Sequence, residues 1–162
     1  MHIAGIRRLL GVNKKAVAIN VIIITNAFIW YSYAFTYLKD SINTSFSALF
    51  LPIITTHFLS VFVAIIIGQF SRQKVKQREK FILWWMLVGV FLSVFPLITG
   101  MNDTGIVAFS VITGFYFGFG IPVCLGYFAS TIEPSNRGKL GGIIFLLIGV
   151  GVFIISQIGN GN

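Results

Sequence analysis

The chain has 162 residues, of which 56% are hydrophobic and only 10% are charged, and its mean hydropathy is +0.91. These values exclude an ordinary soluble globular domain and indicate an integral membrane protein. The net charge of +8 would suit nucleic acid, but 11 of the 12 basic residues lie in segments that flank apolar runs. Membrane topology accounts for that distribution, so we expect the lipid bilayer, and no nucleic acid, as a partner.

Five apolar stretches are long enough to cross a membrane, since about 20 helical residues span a hydrocarbon core of about 30 Å. Backbone groups in lipid must bond within their own segment, so each stretch is predicted to be an α-helix. The predicted fold is therefore an all-α integral membrane protein, with one transmembrane helical domain over residues 1–162. The predicted spans cover residues 16–38, 46–70, 81–100, 105–132 and 140–158.

Basic residues fall on alternate connections between these spans. The segment before the first span, the second connection and the fourth connection together hold 11 of the 12. The first connection holds Lys39 with Asp40, and the third holds Asp103. Because basic connections stay on the cytoplasmic side, we predict a multi-pass protein of the cell membrane. Its N-terminus would be cytoplasmic and its C-terminus outside.

The first predicted span carries a polar sector. Asn26, Tyr33 and Tyr37 lie at i, i+7 and i+11, which the helical period of 3.6 residues places on one face. In lipid that face must contact protein or water, because unsatisfied amides and hydroxyls are costly there. The sector either lines a solute path or forms hydrogen bonds between helices. The fourth span carries a smaller polar pair, Ser110 and Thr113.

His57 is the ionisable side chain that lies deepest in a predicted span, apart from the cysteine and the tyrosines. An ionisable group inside a membrane is a functional candidate, and a histidine can take up a proton near neutral pH. His57 is therefore either a proton site or a neutral ring that is hydrogen-bonded to a neighbouring helix.

Aromatic residues with polar tips occur near the ends of the spans. Trp84 and Trp85 follow the basic second connection, and Tyr31, Tyr33 and Tyr37 approach the outer end of the first span. Such residues favour the membrane–water interface, so we expect them to act mainly as anchors.

Glycine and proline residues indicate where helices approach closely. Gly118, Gly120 and Gly126 lack the side chains that would hold a neighbouring helix away, and Pro122 removes a backbone donor in mid-helix. Gly142 and the glycine four residues before it place small residues on one face of the last span. The fourth and fifth spans are therefore predicted to pack together.

Residues suited to catalysis or metal binding are scarce. The four carboxylates lie between the spans, and His2 and His57 lack the spacing of a zinc motif. Cys124 is the single cysteine, which excludes an intrachain disulfide and a thiolate metal cluster. We therefore expect no enzymatic activity, no cofactor and no metal site.

The connection between the second and third spans resembles a motif of the major facilitator superfamily of transporters. In that family a basic cytoplasmic loop follows a pattern close to Gly-x-x-x-Asp-Arg-x-Gly-Arg-Arg. Here Gly68 begins the corresponding stretch, and Ser71 or Arg72 stands in place of the acidic residue. The basic residues of this stretch include Arg72, Lys76 and Arg78.

A second stretch is similar to the fourth helix of that family, which is rich in glycine, contains a proline and leads into a Pro-x-x-Arg-Gly turn. The resemblance covers nearly the whole chain. It implies the N-terminal six-helix half of such a transporter, truncated after five helices. The matching residues are Gly118, Gly120, Pro122, Pro134, Arg137 and Gly138, in a turn that starts at Glu133.

Two functions are consistent with these features. The resemblance implies a transporter fragment or half, which moves a small solute by alternating access only together with a second helix bundle. That bundle would be another chain, a second copy or a missing C-terminal half. The alternative is a non-transporting membrane subunit that packs against a partner through its glycine-bearing faces.

Overall fold

The computed structural model describes residues 14–45, 50–72, 78–99 and 102–159. Within these residues the chain forms five α-helices. Lys76 of the predicted loop motif lies outside the described residues, and Arg72 is the last residue of the second helix. The helices are α1 (Lys14–Ser45), α2 (Phe50–Arg72), α3 (Arg78–Thr99), α4 (Asp103–Thr131) and α5 (Pro134–Gly159).

Each of these helices is long and apolar enough to cross a membrane. The chain is therefore a helical, multi-pass membrane protein, and the prediction of five helices with the length and apolar character of membrane spans is confirmed for the described residues. Helix α1 is longer than its predicted span, because it continues through the exposed pair of Lys39 and Asp40 to Ser45. An apolar run ends where the lipid ends, whereas a helix ends only where its backbone hydrogen bonds stop.

Contacts divide the described chain into two compact units. The first unit contains residues 14–29 and 124–159, and the second contains Trp30–Val123. Helices α1 and α4 contribute residues to both units, α2 and α3 belong to the second, and α5 belongs to the first.

An apolar cluster forms the core of the second unit. Leu38 and Ile42 of α1 are fully buried, and they cluster with Ile53 of α2 and with Ile106 and Phe109 of α4. Lipid tails are as apolar as these side chains, so van der Waals packing, and not the release of water, holds the cluster together.

Glycines bring the backbones of α2 and α4 into contact. A Cβ atom built on Gly114 would lie 2.8 Å from the backbone oxygen of His57. A Cβ on Gly118 would collide with the backbone oxygen of Val61, one helical turn further along α2. Only glycine fits at either position without a shift of one helix. We call this contact the glycine seam; it consists of Gly68, Gly114 and Gly118.

Gly68 completes the seam from the α2 side. A Cβ atom on Gly68 would lie 2.6 Å from the backbone oxygen of Phe119 in α4. The glycine that marks the loop motif in the sequence is thus also a buried contact point between two helices.

Helices α3 and α4 are joined by two aromatic residues, each of which occupies the space left by a glycine. The Trp85 ring lies against Gly120, and the Tyr116 hydroxyl lies against Gly89. The two rings stack at a centroid distance of 5.0 Å. Trp85 Nε1 donates to the Tyr116 backbone oxygen at 3.0 Å, and the Tyr116 hydroxyl donates to the Trp85 backbone oxygen at 2.7 Å.

The expectation that Trp84 and Trp85 both serve as interfacial anchors is wrong for Trp85. Trp85 is only 7% exposed, whereas Trp84 is 69% exposed. Adjacent residues on a helix point about 100° apart, so one of them can enter the protein while the other faces outward.

A second apolar cluster and a buried amide organise the first unit. Ile24 of α1 packs with Ile132 and with side chains of α5. The buried Asn20 side chain donates at 2.8 Å both to the Ala16 backbone oxygen and to the Thr131 hydroxyl. Asn20 therefore ties the beginning of α1 to the end of α4.

Arg137 closes the end of α4. Its Nε donates to the Ile132 backbone oxygen at 2.9 Å, and its Nη2 donates to the Ala129 backbone oxygen at 2.6 Å. These carbonyls lack partners within the helix, and a cation also suits the negative end of the helix dipole. The predicted turn is correspondingly short, because Pro134 already begins α5 and only Ile132 and Glu133 separate the helices.

The glycines predicted to pack differ in their surroundings. Gly126 and Pro122 are buried, and α4 continues through Pro122 without a break. Gly142 and Gly138 are exposed, and no other part of the described chain lies within 4 Å of a Cβ atom built on either. Within the described part of the first unit, no helix is packed against Gly142, so the predicted contact is not found there. A glycine permits close contact but does not by itself provide a neighbour.

We predict that Gly118→Ala lowers the stability of the folded chain and that Gly142→Ala does not. Overpacking at the seam should cost about 1–3 kcal/mol. An exposed helical glycine replaced by alanine should be neutral, or more stable by up to about 1 kcal/mol. Thermal unfolding in a mild detergent measures both changes. Equal tolerance of the two substitutions would show that α2 and α4 do not touch at Gly118.

Candidate functional site

The candidate site is centred on His57, which lies about two turns inside α2. Its side chain is only 1% exposed, whereas the next two residues of α2, Phe58 and Leu59, face outward. An imidazole at this depth would be costly unless its nitrogens were paired.

Both ring nitrogens of His57 have hydrogen-bond partners on other helices. Nδ1 lies 2.8 Å from the backbone oxygen of Ser110 in α4, and Nε2 lies 3.0 Å from the hydroxyl of Tyr31 in α1. A carbonyl oxygen can only accept, so Nδ1 carries the hydrogen. In the neutral ring Nε2 then accepts from the Tyr31 hydroxyl. The neutral histidine is thus fully bonded and joins three helices.

Aromatic rings surround this polar group. The Tyr31 ring stacks on Phe117 at a centroid distance of 3.9 Å and lies 5.7 Å from the His57 ring. The ring centroids of Phe35 and Phe58 each lie 5.6 Å from that of His57. Rings on these sides strengthen the hydrogen bonds by lowering the local dielectric constant.

Further hydrogen bonds run along the glycine seam beside His57. The Ser110 hydroxyl donates to the Ile53 backbone oxygen at 3.2 Å, and the Ser60 hydroxyl donates to the Val111 backbone oxygen at 2.8 Å. The absence of a side chain at Gly114 makes room for this close approach, since a Cβ atom there would lie 3.3 Å from Ser60 Cβ and 3.2 Å from His57 Nδ1. Close packing and polar bonding therefore depend on each other at this contact.

His57 could take up a proton as well as join the helices. A second proton on the ring would occupy Nε2, which would turn this nitrogen from an acceptor into a donor. The Tyr31 hydroxyl would then have to accept from His57 and to point its own hydrogen elsewhere. A change in protonation would thus reverse the direction of the hydrogen bond between α1 and α2.

Within the second unit, the four predicted substrate-path residues Tyr33, Tyr37, Ser110 and Thr113 do not line one common cavity. In the second unit Tyr33 is 44% exposed, and it lines a small cleft together with Tyr37. Ser110 and Thr113 are fully buried, and Thr113 donates within α4 to a backbone oxygen at 2.6 Å. In the first unit Asn26 is exposed.

The cleft beside Tyr33 and Tyr37 has a volume of about 10 Å³, which is room for about one water molecule. Ser93 and Pro96 of α3 line its other side. The Ser93 hydroxyl accepts a hydrogen bond from Trp30 Nε1 at 2.7 Å. In this state the cleft is too small to hold a solute.

Tyr31 is the site residue that the sequence analysis missed, because it was assigned to the interfacial belt. A signal was present in the spacing. Tyr31, Leu38 and Ile42 lie at i, i+7 and i+11, and the last two are fully buried. A tyrosine on the buried face of a membrane helix needs a hydrogen-bond partner, and His57 provides one.

Comparisons with protein-family models, with curated proteins and with solved structures found no match for this chain. No three histidine, cysteine, aspartate or glutamate side chains of the described residues come together as metal ligands would. Function is therefore inferred from the geometry of the chain itself.

We predict that Tyr31 and His57 are energetically coupled. Unfolding free energies of Tyr31→Phe, His57→Leu and the double variant should give a coupling of about 0.6 kcal/mol, the average for hydrogen bonds between membrane helices, and of up to about 1.7 kcal/mol. Tyr31→Phe combined with Ser60→Ala serves as the control, because Ser60 bonds to a different helix carbonyl and its effect should add. Simple additivity in the Tyr31 and His57 pair would contradict the bond.

Proposed function

We propose that this chain is one half of a membrane transporter of the major facilitator type, which moves a small solute by alternating access together with a second helix bundle. The observation that carries the proposal is the exposed amide of Asn26 on a membrane-spanning helix. An amide transferred to an apolar medium without a partner costs roughly 2–7 kcal/mol. Asn26 therefore requires either water or a polar partner beside α1.

Thr25, the residue before Asn26, also supports the proposal. The Thr25 hydroxyl is buried, and no hydrogen-bond partner for it occurs among the described residues. Buried polar groups are normally paired, so an unpaired one calls for water or for another molecule. Thr25 and Asn26 thus need hydrogen-bond partners that the described residues do not supply.

The exposed face of α1 would become the wall of the solute path once a second bundle covers it. The helical period predicts that Asn26 and Tyr33 share that face, and both are exposed. In transporters built from two bundles, the binding site lies between them near the middle of the membrane. Exposed polar residues on a spanning helix are therefore expected on the surface that faces the second bundle.

His57 would serve as the proton site of such a transporter. Its bond to Tyr31 connects α2 with α1, the helix proposed to line the path. A proton on Nε2 would reverse the direction of that bond, so the Tyr31 hydroxyl hydrogen would need a new acceptor beside α1. We propose this reversal as the link between proton binding and the helix that would line the path.

The glycine seam would let α2 and the part of α4 in the second unit move together during rocking. Alternating access is largely the rocking of one bundle against another around a fixed site. Backbone contact at Gly114 and Gly118 and the bonds of Ser60 and Ser110 leave little freedom between α2 and α4. Motion is then expected between bundles and not within the seam.

A non-transporting membrane subunit is the second candidate. In the second unit the contact of α1 with α4 is apolar, since Leu38 and Ile42 cluster with Ile106 and Phe109. A subunit that packs against a partner needs no cavity and would use the same exposed polar groups as contacts.

A topology test applies to both candidates, which share a proposed cytoplasmic N-terminus in the cell membrane. In a Cys124→Ala background, Lys39→Cys should react with an impermeant thiol reagent from outside. Lys139→Cys should react only after the membrane is opened, because it belongs to a basic connection. Both lysines are exposed, so burial does not confuse the comparison. The reverse pattern would overturn the orientation.

Water access at Asn26 separates the two candidates. In vesicles of the native membrane, Asn26→Cys in the Cys124→Ala background should react with a charged thiol reagent if α1 lines an aqueous path. Leu146→Cys is the matched control, because Leu146 of α5 is 68% exposed on an apolar face that should contact lipid. Equal and negligible reaction at both positions would contradict the transporter and favour the packed subunit.

A further inference from the structure

A groove on the second unit combines large size with an entirely apolar surface. It lies along α3 and α4 and has a volume of about 500 Å³, within the usual range for small-molecule sites of roughly 300–1,000 Å³. We call it the aromatic groove, because six of its ten lining residues are aromatic. It is lined by Phe81, Trp84, Trp85, Val88, Leu92, Val111, Ile112, Phe115, Tyr116 and Phe119.

The floor of the groove offers no free hydrogen-bonding group. It consists of the stacked rings of Trp85 and Tyr116, whose polar atoms bond to the backbone of the opposite helix. Phe81 and Phe119 close one end with an edge-to-face contact at 5.7 Å. An occupant of the groove therefore needs no polar group along its length.

A basic residue stands at one end of this apolar surface. Lys80, Trp84, Val88 and Leu92 lie at i, i+4, i+8 and i+12, which places them along one ridge of α3. The last three line the groove, and Lys80 is exposed just beyond them. The ammonium group of Lys80 is expected at the membrane surface, since a charge within the hydrocarbon core is costly.

The length of the groove corresponds to one leaflet of a bilayer. From Phe81 to Leu92 the helix rises roughly 16 Å, and one leaflet of the hydrocarbon core is about 15 Å thick. An occupant with a polar head at Lys80 and an apolar chain along α3 would thus reach from the surface to the middle of the membrane.

We propose that the aromatic groove binds one acyl chain of an anionic phospholipid whose phosphate lies on Lys80. Charge complementarity favours an anionic head, since the connection around Lys80 carries five basic residues against Glu79. A helix of a partner fits less well. Membrane helices approach closely through small residues, and no glycine, alanine, serine or threonine lines the groove.

Quenching of tryptophan fluorescence by brominated acyl chains tests this site. The full chain is reconstituted in phosphatidylcholine with rising fractions of brominated phosphatidylglycerol. Two of the three tryptophans, Trp84 and Trp85, line the groove, so their fluorescence reports contact with the brominated acyl chain. Quenching should saturate at a low fraction of the anionic lipid, and brominated phosphatidylcholine at equal fractions should quench less.

The Lys80 variants decide the result. Lys80→Gln should weaken the preference for the anionic lipid about fivefold, the effect expected of one basic residue near such lipids. Lys80→Arg should preserve the preference, and Lys139→Gln, which removes an exposed lysine from α5, should also leave it unchanged. Equal quenching by the two brominated lipids would overturn the proposal, as would an unchanged preference in Lys80→Gln.

Discussion

The backbone contact between α2 and α4 is the constraint on which the second unit depends. Gly114 and Gly118 remove the side chains that would separate the two helices. The two backbones must be in contact for His57 Nδ1 to reach the Ser110 backbone oxygen. The same contact lets the Ser60 hydroxyl reach a backbone carbonyl of α4. Since lipid gives little hydrophobic drive for helix association, close packing and interhelical bonds must provide it. The same contact thus stabilises the fold and builds the candidate site.

The polar groups of the chain fall into two classes with different consequences. Those at His57, Asn20 and Trp85 are bonded within their own unit, so they specify which helices pack. Asn26 is exposed, and the Thr25 hydroxyl has no partner in the part of the chain that is described. The first class accounts for structure, and the second is the basis for proposing a second bundle beside α1.

Hydropathy alone predicted the number of membrane helices, because a run of apolar residues has few other uses at that length. Periodicity predicted that Asn26 and Tyr33 share a face, but it could not say whether that face points into the protein or away from it. The structure has both residues exposed. Composition also could not separate Gly118 from Gly142, since a glycine contact depends on what the neighbouring helix presents.

Aromatic residues were the other limit of sequence-based inference. Tyr31 and Trp85 have polar tips that suit the membrane interface, but the same tips suit a buried hydrogen bond. The partners that decide between these roles, His57 and the Tyr116 backbone, lie on other helices. Such pairs are set by tertiary structure and leave only a faint trace in the spacing of residues along one helix.

The central claim is that this chain works as one half of a two-bundle assembly. The most direct test is the mass of particles excised from the native membrane with a detergent-free polymer, followed by identification of their polypeptides. The chain itself has a mass of 17.9 kDa. We expect particles in which it is accompanied by a second helix bundle, so the protein mass is at least about twice that value. Particles that contain a single 17.9 kDa chain and no other protein would contradict the account.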